Sequence, residues 1–254
     1  MFTNAIVRTP GRSIVEGLSN SKTLGLPNYE QAIIQHQSYI DALIKCGLDV
    51  LVLEPCEEYP DSTFVEDVAV ITQNCAIITR PGAPSRSGEV HEIEFVLKQR
   101  FNNIEAIEAP GTIEGGDIMM VGDHYFIGLS ERTNLEGARQ IIQILKKYGM
   151  SGSTISLNKV LHLKTGLSYL EKNNLVVCGE FIKDSYFGQY TPIEIPEKES
   201  YAANCIWVNE SVIIPLGYPT TKQRIKNAGY PVIETDVSEF QKLDGGISCL
   251  SLRY

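Results

Sequence analysis

Residues 117–130 read DIMMVGDHYFIGLS, two short apolar segments on either side of Gly122-Asp123. Apolar residues flanking such a two-residue turn predict a β-hairpin. The second segment runs into a turn, after which Ile141, Ile142, Ile144 and Leu145 recur at helical spacing. A further strand-like segment, TISLNK, follows. This part of the chain therefore predicts a unit of two strands, a turn, a helix and a third strand.

The same plan recurs along the chain about four and a half times. The other hairpins are VAVIT with CAIITRPG, LSYLE with NLVVCGE, CIWVNE with VIIPLGYP, and a pair split between the two ends, ISCLSLRY with NAIVRTPGRS. Third strands follow in DVLVLEP, IEAIEAP and PVIETD, whereas the fourth unit, FIKDSYFGQYTPIEIPEKES, offers little helix. Radial repetition, closed by pairing the last strand with the first, removes exposed sheet edges. The predicted fold class is α/β, a five-bladed propeller of ββαβ units in which residues 1–254 form one domain.

Composition limits the classes of function. The 254 residues are 43% hydrophobic, with no apolar stretch long enough to cross a bilayer and no secretory signal, so a soluble cytoplasmic protein is expected. A net charge of −9 opposes binding to nucleic acid, and we find no basic helix for a membrane surface. The acidic balance is compatible with a cationic small-molecule substrate. A homodimer is plausible on general grounds.

The six cysteines are scattered, without C-x-x-C pairs or zinc-finger spacing. Disulfides are unnecessary in a cytosolic chain of this length. The sequence therefore predicts reduced thiols and no dedicated metal site.

Aligning the units by their first strand brings five motifs to equivalent places. These motifs are FVED, EGGD, HLKTG, AANC and GGISC. Equivalent places in a ring face one axis, so Glu66 or Asp67, Glu114, His162 and Cys249 are expected to converge on one cleft. A thiol, an imidazole and carboxylates together suit nucleophilic attack, proton transfer and binding of a cation.

Each of these residues also has a structural explanation when taken alone. Cys249 could be a buried apolar residue, His162 could close a strand, and the carboxylates could cap turns. Cys205, in AANC, occupies a place comparable to that of Cys249 and is the rival nucleophile; we expect it to serve packing.

The chain resembles the dimethylarginine dimethylaminohydrolases in their compact bacterial form, within the guanidino-group-modifying (pentein) superfamily. The motifs that carry the resemblance are FVEDVAVI, EGGDIMMVGDHYFIG, GLSERTN, HLKTGLSYL, AANCIWVN and GGISCLSLRY, in that order. The resemblance runs from RTPGRS to the last residue. It implies a five-bladed α/β propeller that hydrolyses Nω-methylated arginines to citrulline and a methylamine without a cofactor.

The resemblance also implies a role for individual residues. Cys249 would attack the guanidinium carbon and form a covalent thiouronium intermediate. His162 would protonate the departing amine and then activate water, while Glu114 would orient His162. Asp67 would hold the guanidinium nitrogens.

The same resemblance assigns six residues to the rest of the substrate. Arg86 and Arg132 would bind the amino-acid carboxylate, and Asp61 with the neighbourhood of Glu66 would meet the amino-acid end. Leu18 would lie on a mobile lid, GLSNSKTLGLPN, and Leu243 would contribute backbone. As structural alternatives, the arginines could be surface cations, Asp61 a turn residue, Leu18 a loop residue and Leu243 a core leucine.

Two other functions stay open at this point. Another enzyme of the superfamily, such as an arginine or agmatine deiminase, would use the same nucleophile, although the compact chain and HLKTG disfavour it. A catalytically silent module that binds arginine-like ligands would not need the combination of thiol, imidazole and carboxylate.

Overall fold

The computed structural model describes residues 1–20 and 22–254. The strands within these residues are β1 (Asn4–Arg8), β2 (Asp49–Leu53), β3 (Ala69–Ile71), β4 (Ala76–Ile78), β5 (Ile104–Ala106), β6 (Ile118–Val121), β7 (His124–Leu129), β8 (Ser151–Ser156), β9 (Leu167–Tyr169), β10 (Asn174–Val177), β11 (Thr191–Glu194), β12 (Ile206–Val208), β13 (Ser211–Pro215), β14 (Val232–Thr235) and β15 (Leu252–Arg253). The α-helices are α1 (Tyr29–Lys45), α2 (Val90–Lys98), α3 (Leu135–Lys147), α4 (Leu163–Gly166), α5 (Pro219–Asn227) and α6 (Ser238–Gln241). None of the helices in the described residues is long and apolar enough to cross a membrane.

The described strands form five three-stranded sheets, each made of consecutive strands or, in one case, of the two chain ends. In the sheet β6-β7-β8, Ile118 pairs with Ile127 across an antiparallel ladder, and His124 pairs with Ser151 across a parallel one. A parallel step needs a crossover connection, which α3 provides between β7 and β8. Gly122 has a φ of +57° in the hairpin turn. The predicted ββαβ unit is confirmed here.

The split unit joins the two ends of the chain. Strand β1 lies between β15, which is antiparallel to it, and β2, which is parallel to it. Ala5 faces Arg253 on one side and Val50 on the other. The first and last strands therefore pair as the sequence predicts.

Helix α3 illustrates why the apolar pattern becomes helical. The Asn134 side chain caps its first turn by accepting the Gly137 N–H at 2.8 Å. The helix buries Ile141 and Leu145 in a core cluster that also contains Ile127 of the neighbouring sheet. Burial of each of these side chains contributes about 1.5–3 kcal/mol.

The fourth unit connects its second and third strands differently. Two 3-10 helices, Gly179–Lys183 and Ser185–Phe187, stand between β10 and β11. Aromatic rings of Phe126, Phe187 and Tyr190 pack together beside them, with centroids 5.4 Å to 6.5 Å apart. The prediction of little helix in this unit is confirmed.

A short helical turn comes before the first strand of every unit. The five turns are Val65–Val68, Gly115–Asp117, α4 (Leu163–Gly166), Glu197–Ala203 and Ser248–Leu250. The turn Val65–Val68 contacts those at Gly115–Asp117 and Ser248–Leu250, and α4 contacts those at Gly115–Asp117 and Glu197–Ala203. These five turns, here called the inner turns, carry the motifs that the sequence alignment brought together.

Candidate active site

A cavity of about 50 Å³ opens beside the inner turns. Nine of the ten predicted site residues line it, namely Leu18, Asp61, Asp67, Arg86, Glu114, Arg132, His162, Leu243 and Cys249. The predicted convergence of distant motifs is therefore present in the structure. Glu66 is the predicted residue that does not line this cavity.

Cys249 lies in the inner turn Ser248–Leu250 and is partly exposed to the cavity. Its Sγ accepts the Gly246 N–H at 3.4 Å. The preceding Gly245 is required by crowding, because a Cβ there would lie 2.2 Å from the Phe64 ring. Removal of the thiol from water, with a smaller effect of nearby acidic groups, raises the pKa of Cys249 to about 12. The thiol is consequently protonated at neutral pH before a ligand binds.

His162 immediately precedes α4 and is held by a buried carboxylate. Its Nε2 lies 2.8 Å from Oε2 of Glu114, whose Oε1 accepts the Gly82 N–H at 3.0 Å. Burial lowers the pKa of His162, but the hydrogen bond to Glu114 and the charges of Asp67 and Asp117 outweigh it and raise the pKa to about 9. His162 is therefore an imidazolium at neutral pH.

Asp117 is a supporting residue that the sequence reasoning did not assign to the site. Its side chain is fully buried; Oδ1 accepts the Leu163 N–H at 3.0 Å, and Oδ2 accepts the hydroxyls of Ser130 and Thr133, each at 2.6 Å. These bonds fix the backbone next to His162. The EGGD motif contains Asp117, but the motif alone does not reveal that contact.

Asp67 lies at the centre of a buried ion-pair network. One oxygen, Oδ2, lies 2.6 Å from Nη1 of Arg86, and the other accepts the Gly116 N–H at 2.9 Å. Burial acts to raise the pKa of Asp67, but the positive charges of Arg86 and His162 prevail and lower it. Asp67 therefore stays a carboxylate beside the thiol and the imidazolium.

Arg86 is buried and already has partners in the free protein. Glu89, three residues later, accepts hydrogen bonds from Nε at 3.0 Å and Nη2 at 2.8 Å, while the Phe64 carbonyl accepts another from Nη2 at 3.1 Å. Its role in holding a substrate carboxylate stays a prediction. Arg132 differs, because it forms no ion pair with any residue in 1–20 or 22–254.

The predicted lid segment meets the cavity through its backbone. Both oxygens of Asp61 accept the Leu18 N–H, at 3.0 Å and 3.3 Å, and burial raises the pKa of Asp61 although Arg86 opposes this. The Asn20 N–H donates to Asp244 at 2.6 Å. The part of the lid sequence at Ser21 lies outside the described residues.

Glu66 stands next to Asp67 in the same inner turn but does not line the cavity that holds the thiol. Its Oε2 accepts the Ser248 hydroxyl at 2.7 Å, and Oε1 lies 2.5 Å from Nζ of Lys164. It lines a second cavity of about 150 Å³, together with Cys205. A contact between Glu66 and substrate stays a prediction, and the structure shows Glu66 supporting the residue next to Cys249.

Asp67, Glu114 and His162 also have the composition of a metal site, with one ligand atom each within 4.8 Å of the others. The Nε2 of His162 is, however, engaged with Glu114, and the raised pKa of the imidazole favours a proton on its nitrogens. The electrostatics of this group suit proton transfer better than metal binding.

The fold and the cavity together define a class: an α/β protein of five repeated sheet units with a cysteine, a histidine and acidic residues at a cavity. The family model for eukaryotic N,N-dimethylarginine dimethylhydrolase matches residues 21–251. The N(G),N(G)-dimethylarginine dimethylaminohydrolase of Pseudomonas aeruginosa is 59% identical over 256 residues, with both chains fully covered. The chain belongs to the dimethylarginine dimethylaminohydrolase family.

Two solved structures are similar over the full length of both chains, each with a TM-score of 0.99 and 58% identity. One is an H162G dimethylarginine dimethylaminohydrolase as an adduct with S-methyl-L-thiocitrulline. The other is the C249S mutant of the Pseudomonas aeruginosa protein in complex with citrulline. The present chain has His162 and Cys249 in the cavity described above.

Proposed function

We propose that the protein hydrolyses Nω,Nω-dimethyl-L-arginine, and also the monomethyl form, to L-citrulline and di- or monomethylamine. Cys249 acts as nucleophile and His162 as general acid and then general base. The observation that carries the proposal is the meeting of Cys249, the His162–Glu114 pair and Asp67 at one cavity. The citrulline and S-methylthiocitrulline complexes of similar proteins support it.

The substrate cation activates the thiol. In the free protein, burial is the largest cause of the raised pKa of Cys249, and nearby acidic groups raise it further. A guanidinium bound beside Asp67 offsets the charge of these groups and so favours the thiolate. The proton of the thiol passes to solvent as the thiolate forms. Binding and activation are thus coupled, because the cation that is to be attacked is also the group that stabilises the nucleophile.

The reaction then proceeds in two stages. The thiolate attacks the guanidinium carbon, His162 gives its proton to the dimethylamino nitrogen, and the bond from carbon to that nitrogen breaks. The neutral imidazole next takes a proton from water as the oxygen adds to the thiouronium carbon. The bond from carbon to sulfur then breaks as the added hydroxyl gives its remaining proton to solvent, which releases citrulline with its new carbonyl oxygen and regenerates the thiolate. Glu114 stabilises the imidazolium at the start and end of this cycle.

The amino-acid end of the substrate meets Arg132, Arg86 and Asp61, which line the same cavity. Arg132 supplies a guanidinium for the carboxylate, and the Nη1 of Arg86 has one further N–H to offer beyond its bond to Asp67. Asp61 provides an acidic group for the ammonium. The Leu18 backbone, tied to Asp61, covers this end.

The architecture belongs to the same proposal. The five sheets, the pairing of β1 with β15 and the mutual contacts of the inner turns support a closed five-bladed propeller acting as one catalytic domain. The six free cysteines support a reducing compartment, the cytoplasm.

The test is citrulline release from asymmetric dimethylarginine, monomethylarginine, arginine and agmatine in parallel. We expect turnover of the two methylated substrates, loss of turnover in Cys249→Ser, and retention in Cys205→Ser, a matched control at the comparable place of another unit. Turnover of arginine or agmatine alone would identify a deiminase. Silence on all four substrates would contradict the proposal.

A further inference from the structure

The inner turn Glu197–Ala203 is followed by a residue that the proposed chemistry does not use. In four units the residue at or beside the inner turn belongs to the cavity: Asp67, Glu114, His162 and Cys249. In the remaining unit, Asn204 directly follows the turn Glu197–Ala203. Its side chain is 7% exposed and is absent from the cavity lining.

Asn204 holds the turn that carries the nucleophile. Its Oδ1 accepts the Ser248 N–H at 2.8 Å, and its Nδ2 lies 3.1 Å from the Ser248 hydroxyl. It also packs on Gly246, where a Cβ would come within 2.5 Å of the amide carbon of Asn204. Gly246 is the residue whose N–H donates to Cys249. The amide therefore fixes the backbone on both sides of Ile247 and, with it, the place of the thiol.

The same amide group reaches the segment that carries the histidine. Its Nδ2 donates to the Lys164 carbonyl at 3.1 Å, within the first turn of α4. In that turn the Thr165 N–H donates to the His162 carbonyl at 3.1 Å. One buried side chain is thus bonded to the backbone two residues after the imidazole and one residue before the thiol.

Further polar contacts connect neighbouring inner turns to one another. The Lys164 side chain pairs with Glu66, and Glu66 accepts the Ser248 hydroxyl, so a second path joins the two segments. The other junctions are made by the bonds from Gly116 to Asp67 and from Leu163 to Asp117. Asn204 connects the inner turn Glu197–Ala203 to its two neighbours, through the Lys164 carbonyl in α4 and through the Ser248 N–H.

We propose that Asn204 is a positioning residue that sets the separation of the Cys249 thiol and the His162 imidazole. The inference rests on the proposed function for the roles of those two groups. Asn204 touches neither reacting group and acts through Ser248, Gly246 and Lys164. Displacement of a reacting group by about 1 Å can lower a rate on the order of 100-fold, so loosening of this junction affects the chemical step more than binding.

The principal variant is Asn204→Asp, which keeps the shape and the acceptor for the Ser248 N–H but loses both donor contacts. Asn209→Asp is the matched control. Asn209 accepts the Phe2 N–H at 2.9 Å and donates to the Phe2 and Cys46 carbonyls at 2.7 Å and 3.1 Å, away from the cavity. Asn204→Ala removes the same donors, and the acceptor for the Ser248 N–H as well, without adding charge, so a loss of rate shared by both variants is not caused by the charge of Asp.

With dimethylarginine, we expect kcat to fall roughly 10- to 100-fold in both Asn204 variants while KM changes less than about 3-fold. Asn209→Asp should retain kcat even where urea unfolding shows that it is destabilised. Equal kcat values in the Asn204 variants and the control, at equal fractions folded, would assign Asn204 to packing alone.

A second measurement does not depend on the substrate. Alkylation of Cys249 by iodoacetamide is timed at a fixed pH of about 8, and peptide mass mapping separates Cys249 from the other five cysteines. We expect the rate at Cys249 to rise in Asn204→Ala, because the loosened turn exposes the thiol to water, and to stay unchanged in Asn209→Asp. An unchanged rate in Asn204→Ala overturns the inference. If the wild type releases no citrulline, the proposed function fails, whereas this comparison still decides the role of Asn204.

Discussion

The substitution Glu114→Gln tests the link between the buried carboxylate and the protonation of His162. The amide oxygen can still accept the Gly82 N–H, as Oε1 of Glu114 does at 3.0 Å. The amide NH₂ then faces Nε2 of His162 in place of the carboxylate oxygen at 2.8 Å. An NH₂ donates to a neutral imidazole nitrogen and cannot accept from an imidazolium, so the substitution reverses the preference of the site.

The size of the effect follows from the raised pKa. A rise from 6.5 to about 9 represents on the order of 3 kcal/mol in favour of the imidazolium. The hydrogen bond to Glu114 is the largest of the stabilising contributions, although Asp67 and Asp117 also act on the ring. We therefore expect the pKa of His162 to fall by at least about one unit, equivalent to about 1.4 kcal/mol, in Glu114→Gln.

The assay is NMR titration of histidine side chains labelled with ¹³C and ¹⁵N. The chain has four histidines, and a His162→Gly sample assigns the resonance. Glu108→Gln, which removes the same charge from an exposed site, is the control. The general-acid step should slow most between the lowered pKa of the variant and about pH 9, because the imidazolium fraction falls in that range. An unchanged His162 titration in Glu114→Gln would refute the assignment of the raised pKa to this hydrogen bond.

Three further outcomes are expected. In the free protein, alkylation of Cys249 should keep accelerating with pH up to the highest pH at which the fold persists, because the pKa of the thiol is raised to about 12; a plateau below pH 8 contradicts this. Asp67→Asn should destabilise the fold by roughly 3–5 kcal/mol in urea unfolding, because it removes one partner of the buried Arg86 pair, and an unchanged midpoint argues against that coupling. The folded-state pKa of His162, about 9, lies above the ordinary value of 6.5. The stabilisation that the imidazolium provides is therefore complete below pH 6.5 and is lost as the pH rises to about 9. Across this range the free energy of unfolding should fall by on the order of 3 kcal/mol more in the wild type than in His162→Gly.

The repeated hairpins were the most predictable part of the fold. Local signals, such as Gly122-Asp123 between alternating apolar residues, determine both the turn and the register of β6 and β7. The alignment of the units then located Cys249, His162 and Glu114 at one cavity. This worked because repetition gives the units equivalent inner turns, which contact one another whatever their separation in the chain.

The sequence did not determine which way individual side chains point. Glu66 and Asp67 are adjacent in one motif, yet the helical turn directs Asp67 to the thiol cavity and Glu66 to Ser248 and Lys164. The buried pair of Arg86 and Asp67 likewise depends on tertiary packing. Ion pairs between side chains of different elements leave little periodic signal, so no pattern along the chain could reveal them.

The inner turns have a consequence for how the protein loses activity. Asp67, Glu114, His162 and Cys249 come from four units, and each turn is braced by its neighbours. Opening of any one unit therefore dismantles the cavity, even while the other four sheets persist. A partly folded chain therefore lacks a complete site, and citrulline release reports whether the whole molecule is folded. Catalysis therefore requires contacts between parts of the chain that are distant in sequence, and such contacts are slow to form.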